Sequence, residues 1–472
     1  VSFPFFRLTP GANELCVFAV ERGRIGERFD VRNIRYSLAF SNDNQSRIPL
    51  GELTSEEPCY GTSATAIERV NELQPKYIRI TDFDDFGIEA DHVFMTAENY
   101  SAKHELQKND ILFARTGATV GKTYFYDGSI GKAIFAGYCI RFRFDENKVM
   151  PKFVYWYTKT DTFLSWVNGI QRPSGQPNIN KEEYKSYKIL VPSRSKQEQL
   201  SSYMDIALAK HNKMLYQADR LLSACKDSVF SFLNLYFREY KPALYSVNKL
   251  EDIRELGIYC NPHSDYLNDV FSKLRANNFF AGHLEDFVEI NPKTSRAGLQ
   301  DKSDVSFVPM TAVTEKTNQV VYEVKPYSEV KTGFTIFKKN DLLWAKITPC
   351  MQNGKSFVAS DMPTDIGFGS TEFHVLRAKN PKRVYMPYLW VIFSNEHILE
   401  AAQGMFGGSA GQQRVPDTFL KKFPIVLPPY EVQVKLADQV FEALEKAKKL
   451  RAKAEYDWQN ARKQFEKELL GE

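Results

Sequence analysis

The chain has 472 residues, of which 43% are hydrophobic and 25% are charged, and its formal net charge is +4. This length exceeds what one hydrophobic core serves and the apolar content excludes a disordered protein, so we expect two globular domains with connectors. No apolar run approaches the roughly 18 residues of a membrane-spanning helix, and Val1 to Pro10 lacks the pattern of a signal peptide, so we expect a cytoplasmic protein without a membrane partner.

Charge is unevenly distributed along the first half of the chain. Residues 1–100 carry 10 Lys and Arg against 16 Asp and Glu, whereas residues 101–192 carry 14 against 8. An acidic segment followed by a basic one allows a polarised surface with one side that faces phosphates.

The cysteines indicate no special chemistry. There are 6, with no Cys-x-x-Cys pair and no histidine at ligand spacing. Disulfide frameworks and structural zinc sites require such spacing, so we expect reduced thiols and no metal site. The cysteines are Cys16, Cys59, Cys139, Cys225, Cys260 and Cys350.

Both halves of the chain predict mixed α and β structure. Short runs rich in Phe, Tyr, Val and Ile, as in 133–135 and 138–144, alternate with polar residues and predict strands and hairpins. Amphipathic stretches at 152–166 and 388–403 predict helices between them. We therefore expect an α+β fold.

An internal repeat organises the whole chain. Lys108–Arg115 returns as Lys339–Lys346, a shift of 231 residues, and the shift grows to 236 between Met150 and Met386. Further pairs follow in the same order: Gly121-Lys122-Thr123 with Gly354-Lys355-Ser356, Ser174-Gly175-Gln176 with Ala410-Gly411-Gln412, and Ile189–Pro192 with Ile425–Pro428. The chain is therefore two globule-plus-helix units in tandem.

Each globule is followed by a heptad-like pattern. Apolar residues spaced alternately four and three apart form the seam of a coiled-coil helix, and a helix of about 45 residues would be about 65–70 Å long. The second pattern shifts phase after Ala454, in the manner of a stutter. The first seam is Leu200, Met204, Ala207, His211, Met214, Ala218, Leu221 and Cys225, and the second is Leu436, Val440, Ala443, Ala447, Leu450, Ala454, Trp458, Ala461, Phe465 and Leu469.

We expect the two long helices to pair antiparallel within the chain. Such pairing would relate the globules by an approximate twofold and hold them at a fixed separation. The alternatives are that each helix packs on its own globule or on another subunit. The predicted domains are a globule at 1–192, a central helix at 193–245, a second globule at 246–428 and a C-terminal helix at 429–472.

Three motifs approach catalytic loops but lack an essential feature. Thr116–Thr123 has Thr where a phosphate-binding loop needs its first glycine. Leu427-Pro428-Pro429-Tyr430 approaches the tetrapeptide of adenine N6-methyltransferases, yet Leu427 cannot accept a hydrogen bond from the target amino group. Phe406-Gly407-Gly408 falls short of a glycine-rich cofactor loop. Because no catalytic constellation recurs in both copies, we predict that the chain is not an enzyme.

Both copies do share polar side chains in predicted loops, and these can hydrogen-bond to base edges or phosphates. As single residues they suit ordinary turns equally well, so the prediction rests on the cluster. The first copy contributes Tyr60, Thr62, Ser63, Arg79, Thr81, Arg115, Thr116, Lys122, Arg172, Ser174 and Gln176. The second contributes Thr311, Lys346, Thr348, Lys355, Ser409, Gln412, Gln413 and Arg414.

This ordered set, present twice, resembles the specificity subunit of type I restriction-modification systems. The resemblance covers essentially the whole chain. It is carried by the Lys-Asn-Asp-Ile/Leu-Leu-aromatic-Ala-Arg/Lys strand, the Gly-Lys turn, the exit ending in Val-Pro or Leu-Pro, and the Gln-x-x-Leu helix start at Gln197 and Gln433. The globule entries, Glu27–Asp30 and Gly257–Pro262, add a pair of which the second is degenerate.

The resemblance implies two target-recognition domains, each reading one half of a bipartite, asymmetric DNA site. The helices would set the spacing between the half-sites and dock the modification subunits. The implied partners are double-stranded DNA, two modification subunits and, through the complex, restriction subunits. S-adenosylmethionine, ATP and Mg²⁺ are then expected in those partners and no cofactor in this chain. We hypothesise that the equivalent residues Arg115 and Lys346 contact phosphates.

Three alternatives stay open from the sequence. The chain could be the recognition subunit or a fragment of a system whose methylation and cleavage lie in one fused partner. It could be an enzyme that acts on DNA, which cofactor binding by the purified chain would reveal. It could be a scaffold that binds only proteins, which sequence-selective DNA binding would exclude.

Overall fold

The computed structural model describes residues 46–89, 92–171, 177–241, 263–408 and 412–471. These residues form two compact units. Unit 1 contains the described residues up to Met214 and from Lys453 onward, and unit 2 contains those from Leu215 to Ala452. The division between the units therefore falls inside the long helices, whereas the predicted domain limits fall at the helix ends.

Unit 1 is built from short strands around one central strand, Asp110–Ala114. Its strands are β1 (Ile48–Pro49), β2 (Cys59–Tyr60), β3 (Ala66–Ile67), β4 (Lys76–Ile78), β5 (Thr96–Ala97), β6 (Asp110–Ala114), β7 (Thr123–Tyr126), β8 (Ala133–Phe135), β9 (Cys139–Phe142) and β10 (Lys188–Ile189). Four of them form an antiparallel sheet in the order β2-β9-β6-β7. Every residue of β6 is buried, because this strand has neighbours on both sides and helices against it.

Three smaller sheets complete unit 1. Strands β4 and β8 pair in parallel, whereas β3 with β5 and β1 with β10 pair antiparallel. The helices of the globule are α1 (Pro151–Tyr157), α2 (Asp161–Ile170) and α3 (Lys181–Ser186), with 3-10 turns at Leu50–Leu53, Ala102–His104 and Gly117–Thr119. Their starts follow from local sequence: Pro151 occupies the first turn of α1, the Thr160 side chain caps α2, and Asn180 and Glu183 form a capping box on α3.

Unit 2 repeats this plan with a larger second sheet. Its strands are β11 (Phe280–His283), β12 (Val288–Ile290), β13 (Asp304–Val308), β14 (Glu323–Pro326), β15 (Thr335–Lys338), β16 (Leu342–Ala345), β17 (Ser356–Val358), β18 (Ile366–Gly369), β19 (Phe373–Ala378) and β20 (Pro424–Val426). The antiparallel sheet β12-β19-β16-β17 matches β2-β9-β6-β7 of unit 1. The sheet β14-β13-β18-β15 contains the parallel pair β13 and β18, which matches β4 and β8.

The helices of unit 2 lie before, between and after these strands. They are α5 (Ser264–Arg275), α6 (Leu284–Phe287), α7 (Tyr327–Val330), α8 (Met386–Phe393), α9 (Glu396–Ala402) and α10 (Asp417–Lys421), with 3-10 turns at Met310–Ala312 and Gln403–Met405. Helix α8 is buried along its length, whereas α5 buries one face formed by Tyr266, Leu267, Val270, Phe271 and Leu274.

Two long helices follow the globules, as the heptad pattern predicts. The first, α4, spans Arg194–Phe232 and has 39 residues, and the second, α11, spans Tyr430–Leu470 and has 41. Helix α4 therefore ends before the predicted limit at 245. Most of the predicted seam is buried, including Leu200, Met204 and Ala218 in α4 and Val440 and Ala454 in α11.

The two helices run antiparallel within each unit. In unit 1, Lys196 pairs with Glu468 at 2.6 Å and Lys210 with Asp457 at 2.7 Å, so residue numbers rise along one helix as they fall along the other. In unit 2, Asp219 pairs with Arg451, and Cys225 lies against Gln439. The same helices also pack on the globules, since Leu200 and Phe465 belong to the core of unit 1 and Leu222 and Val440 to that of unit 2.

A buried carboxylate fixes the start of the central strand in each unit. Asp110 is fully buried, and its carboxylate accepts hydrogen bonds from the Gln107 backbone N–H at 2.7 Å and from the Arg143 guanidinium at 2.7 and 2.8 Å. The residue before it, Asn109, has φ of 76°, a left-handed conformation that Asn tolerates. Unit 2 repeats the arrangement: Asp341 accepts from Lys338 N–H and Arg377, and Asn340 has φ of 67°.

We predict that Asp110→Ala lowers the free energy of unfolding by about 3–5 kcal/mol, because it leaves the Arg143 guanidinium without its buried partner. Urea denaturation followed by circular dichroism measures the change. The conservative control is Asn109→Gly, which keeps the left-handed turn and should cost less than about 1 kcal/mol. Equal losses in the two variants would contradict this role of the carboxylate.

Unit 1 also buries a lysine. The Lys159 side chain is 5% exposed, its Nζ donates to the Thr123 carbonyl at 3.2 Å, and Asp85 lies 3.7 Å away. Burial lowers the pKa of Lys159 to about 8, from an ordinary value of 10.5, and the nearby Asp85 opposes this shift only in part. Between these two values the unfolded chain binds more protons than the folded chain, so the contribution of Lys159 to stability rises with pH across that window.

We predict that wild-type protein gains about 1–3 kcal/mol of unfolding free energy over Lys159→Met as pH rises from about 7.5 to about 10.5. Urea denaturation of both proteins across this range measures the difference. Lys213→Met on the exposed face of α4 serves as the control and should show no such trend. A constant difference between wild type and Lys159→Met at all pH values would contradict the prediction.

Candidate nucleic-acid interface

The turn between β8 and β9 in unit 1 brings three other strand ends together. We name residues 136–138 collecting turn 1. The Ala136 N–H donates to the Ile78 carbonyl at 2.9 Å, Gly137 N–H to Thr62 at 2.7 Å, and Arg115 N–H to Tyr138 at 3.0 Å. The strand ends that carry the predicted residues 60–63, 79–81 and 115–116 therefore meet at one turn, although they are far apart in sequence.

Arg115 and Tyr60 form the best-defined side-chain pair on this surface. The Arg115 guanidinium carbon lies 4.8 Å from the centre of the Tyr60 ring, a cation–π geometry, and the Tyr60 hydroxyl accepts from the Lys181 N–H at 3.1 Å. Arg115 Nε is buried and has no hydrogen-bond partner among the described residues. The stacked ring holds the guanidinium in place beside collecting turn 1.

The other predicted residues near collecting turn 1 differ in accessibility. Ser63 is exposed, whereas Thr62 is buried and its hydroxyl accepts from the Ala64 N–H at 3.2 Å. Thr116 is bonded through its backbone carbonyl to the Thr119 hydroxyl. Thr62 and Thr116 therefore help to shape the loops, whereas the Ser63 side chain is exposed to solvent.

Arg79 already has an internal partner. Its guanidinium donates to both carboxylate oxygens of Asp82 at 2.8–3.2 Å, and the Thr81 hydroxyl also donates to Asp82. This ion pair raises the pKa of Arg79, so the guanidinium stays protonated. Part of the Arg79 side chain remains accessible to solvent, since it is 36% exposed.

An equivalent turn gathers the strand ends of unit 2. We name residues 370–372 collecting turn 2. The Ser370 N–H donates to the Val308 carbonyl at 3.2 Å and the Lys346 N–H to Glu372 at 2.9 Å, which repeats the bonds of Ala136 and Arg115 in unit 1. Lys346 thus takes the position of Arg115, as the sequence repeat predicts.

A second loop packs against collecting turn 2. The backbone of Thr348 and Gln413 pairs at 2.9 Å, and the Gln413 N–H also donates to the Thr348 hydroxyl at 3.2 Å. Arg414 forms two hydrogen bonds with Glu372, at 2.7 and 2.9 Å, and these lower the pKa of Glu372. Gln412 is exposed beside them. Lys346, Thr348, Gln412, Gln413 and Arg414 therefore lie on one surface.

The remaining predicted residues lie elsewhere or outside the described ranges. Lys355 Nζ donates to the Met310 carbonyl at 3.3 Å, next to the exposed Thr311. Lys122 occupies the equivalent Gly-Lys turn of unit 1, in which Gly121 has φ of 87°. Four predicted residues, Arg172, Ser174, Gln176 and Ser409, fall outside the described residues.

Sequence reasoning missed several side chains on these surfaces. Tyr138, at the tip of collecting turn 1, is 60% exposed. In unit 2 a groove of about 410 Å³ lies beside Lys346 and includes Lys293, Thr294 and Arg296. Its described lining has three cations and no carboxylate. The sequence places Tyr138 directly after an Ala-Gly pair, which can mark a turn. The alternating pattern of 138–144 instead predicts that Tyr138 starts a strand.

The described ranges hold no cluster of three or more His, Cys, Asp or Glu side chains placed to bind a metal ion.

None of the helices in the described part of the chain combines the length and the apolar character needed to cross a bilayer.

The two units carry equivalent strand-end surfaces, and a long helix follows each globule. A family model for the type I restriction modification DNA specificity domain matches residues 62–215 and 280–455. The chain belongs to this family, since the matches cover most of its length. The two matched regions each contain one collecting turn.

Two curated relatives and one solved structure are similar to this chain. Over 154 residues the chain is 34% identical to the type I restriction enzyme EcoEI specificity subunit and 36% identical to the EcoAI specificity subunit, both from Escherichia coli. This segment is 32% of the present chain but only 25% and 26% of those relatives. A solved chain from work on complex assembly and conformational transition of the type I R-M system is also similar. The alignment spans 90% of this chain and 96% of the solved chain, at 11% identity and a TM-score of 0.48.

We predict that Gly61→Ala disrupts collecting turn 1. A Cβ at this position would lie 2.2 Å from the Phe135 carbonyl oxygen and 2.4 Å from that of Ala136, so the backbone must move. The expected loss of unfolding free energy is about 1–3 kcal/mol. Gly407→Ala is the matched control, because its added Cβ would meet nothing within 4 Å. Urea denaturation decides, and equal stabilities of the two variants would contradict the close contact.

Proposed function

We propose that this chain is the DNA-specificity subunit of a type I restriction-modification complex, and that each collecting-turn surface reads one half of a bipartite, asymmetric site. The observation that carries the proposal is the repeated strand-end surface, on which Arg115 and Lys346 occupy equivalent positions. Family membership supports it. Backbone-anchored turns that display Arg, Lys, Gln and Ser side chains suit contacts with phosphates and base edges.

The different chemistry of the two surfaces supports unlike half-sites. Collecting turn 1 displays the exposed aromatic Tyr138 beside a stacked Arg115. Collecting turn 2 instead carries Glu372, which is paired with Arg414, beside the cationic groove of Lys293 and Arg296. Two surfaces with such different hydrogen-bonding groups would select different bases. We further propose that the helices set the spacing between the half-sites.

The partners that this function needs are proposals as well. Two modification subunits would dock on the helices, and restriction subunits would join through the complex. S-adenosylmethionine, ATP and Mg²⁺ would bind to those partners, and the complex would act on DNA in the cytoplasm. Native mass spectrometry of the complex purified from the host measures the stoichiometry, and one copy of this chain with two modification subunits is the expected result.

The decisive experiment maps N6-methyladenine in host DNA by long-read sequencing, with the gene present and with the gene deleted. Loss of methylation at one split, asymmetric motif on deletion is the expected result. If methylation is unchanged and the purified chain also binds no DNA, the proposed function is wrong.

We predict that Arg115→Ala and Lys346→Ala each weaken binding to every DNA sequence and flatten the salt dependence, by about one unit in the slope of log K against log [salt], because each removes one phosphate contact. Fluorescence anisotropy across a salt series, with specific and unrelated duplexes, measures both quantities. Lys449→Ala on the exposed side of α11 is the charge-matched control. A changed target sequence with an unchanged salt slope would contradict the phosphate assignment.

A further inference from the structure

Unit 2 contains a cavity of about 540 Å³ between the long helices and the globule, away from the collecting turn. It is lined by Leu222 and Lys226 of α4, Arg451 of α11, and Lys316, Thr317 and Asn395 of the globule. A volume of this size suits a small ligand or one to two side chains. Nothing in the proposed DNA recognition uses this cavity.

In unit 1 the equivalent place is filled by the chain itself. The Phe86 ring stacks on His211, with centroids 4.3 Å apart and planes at 10°, and lies 5.7 Å from the Trp458 ring. The preceding residue, Asp85, directs its carboxylate to the buried ammonium of Lys159 at 3.7 Å. An aromatic side chain and the carboxylate next to it therefore close the space between helices and globule.

The internal repeat explains why this space is open in unit 2. The shift of 236 residues that relates Gln197 to Gln433 also relates Leu222 to Trp458 and His211 to Ala447. Two ring-bearing positions thus carry smaller side chains in unit 2. In unit 1 the segment after β4 inserts Asp85 and Phe86 into this space. In unit 2 the segment after the matching strand, β13, contributes Glu315–Thr317 to the cavity wall.

A buried ammonium is nevertheless present in both places. Lys226 is 8% exposed, its Nζ lies 5.1 Å from the Trp390 ring centre, and the described chain gives it one long hydrogen bond, 3.5 Å to the Ser394 carbonyl. Lys159 likewise lies 4.8 Å from the ring of Tyr155. Burial and, to a smaller extent, the nearby charge of Lys316 lower the pKa of Lys226 to about 8. The Thr317 hydroxyl is also buried, without a hydrogen-bond partner in the described ranges.

The carboxylates around the cavity are mostly engaged by other groups. Asp219 pairs with Arg451, Glu315 accepts from Asn353 at 2.9 Å, and Asp227 accepts from Ser223 at 3.4 Å. Glu396 acts on Lys226 through its charge. A further carboxylate inside the cavity would therefore meet two ammonium groups, Lys226 and Lys316, and would favour the charged form of Lys226.

We propose that this cavity binds an acidic–aromatic segment of a partner protein, in which an Asp or Glu carboxylate meets Lys226 and the following aromatic ring packs against Leu222. Unit 1 supplies the template, because Asp85 and Phe86 make the same two kinds of contact within the chain. A single aromatic ring next to a carboxylate matches both the volume and the charge of the cavity. Charge-assisted hydrogen bonds in such a partly closed space contribute strongly to binding.

The test uses the full chain and a peptide with the sequence of residues 84–87, Asp-Asp-Phe-Gly, capped at both ends and carrying 4-fluorophenylalanine. Binding broadens the ¹⁹F resonance, and a titration gives the affinity. We expect binding to wild type, at least about tenfold weaker binding to Lys226→Met, and a similar loss for Leu222→Trp, which fills the cavity. An Asn-Asn-Phe-Gly peptide should also bind about tenfold more weakly, because it lacks the carboxylates.

Controls make the outcome unambiguous. Lys449→Met, on the exposed face of α11, should bind the peptide as wild type does. Leu222→Trp should also raise the melting temperature, which shows that the variant folds and that the ring occupies the cavity. Absence of binding to wild type, binding by either cavity variant that is as tight as binding by wild type, or tighter binding of free 4-fluorophenylacetate than of the peptide would overturn the proposal. DNA binding by Leu222→Trp should be unchanged, so this test is separate from that of the proposed function.

Discussion

The buried carboxylate at the start of each central strand is the constraint on which both units depend. Asp110 and Asp341 each accept a hydrogen bond from the backbone N–H three residues earlier and a bidentate hydrogen bond from an arginine, which lies directly after the neighbouring strand in unit 1 and within it in unit 2. This arrangement fixes the turn that precedes the strand and the register of the strand beside it at the same time. A buried carboxylate is energetically costly unless each of its oxygens accepts hydrogen bonds. Few alternative strand registers provide those bonds. The strand then delivers Arg115 or Lys346 to the collecting turn.

The two units show how one scaffold can carry different surfaces. The sheet order and the backbone bonds of the collecting turns are repeated, yet Tyr138 and Glu372 stand at equivalent tips. The helix-facing sides diverge in the same way: unit 1 closes its side with Phe86, and unit 2 leaves a cavity beside Lys226. At these two places the units differ in side chains that contact solvent or a cavity, whereas the sheet around the central strand and its polar anchors are retained.

Much of the fold could be predicted from the sequence because its signals are local or periodic. The repeat indicated two units, and the heptads indicated α4 and α11, whose antiparallel pairing within each unit is confirmed by ion pairs such as that of Lys210 with Asp457. The site was harder to predict. Arg414 and Glu372 are 42 residues apart, and no pattern links them. Tyr138 looked like part of an alternating strand, and only the tertiary hydrogen bond of Arg115 to its carbonyl places it at the tip. The predicted contacts with DNA stay predictions.

The collecting turns are held by main-chain hydrogen bonds, and this has an evolutionary consequence. A tip residue such as Tyr138 contributes its carbonyl to the fold, while its side chain points to solvent and is 60% exposed. Any amino acid can supply this carbonyl, so most exchanges at the tip carry little folding penalty. New surface chemistry can thus arise by single substitutions that selection for stability does not oppose. The architecture separates heritable variation in recognition from the requirements of folding.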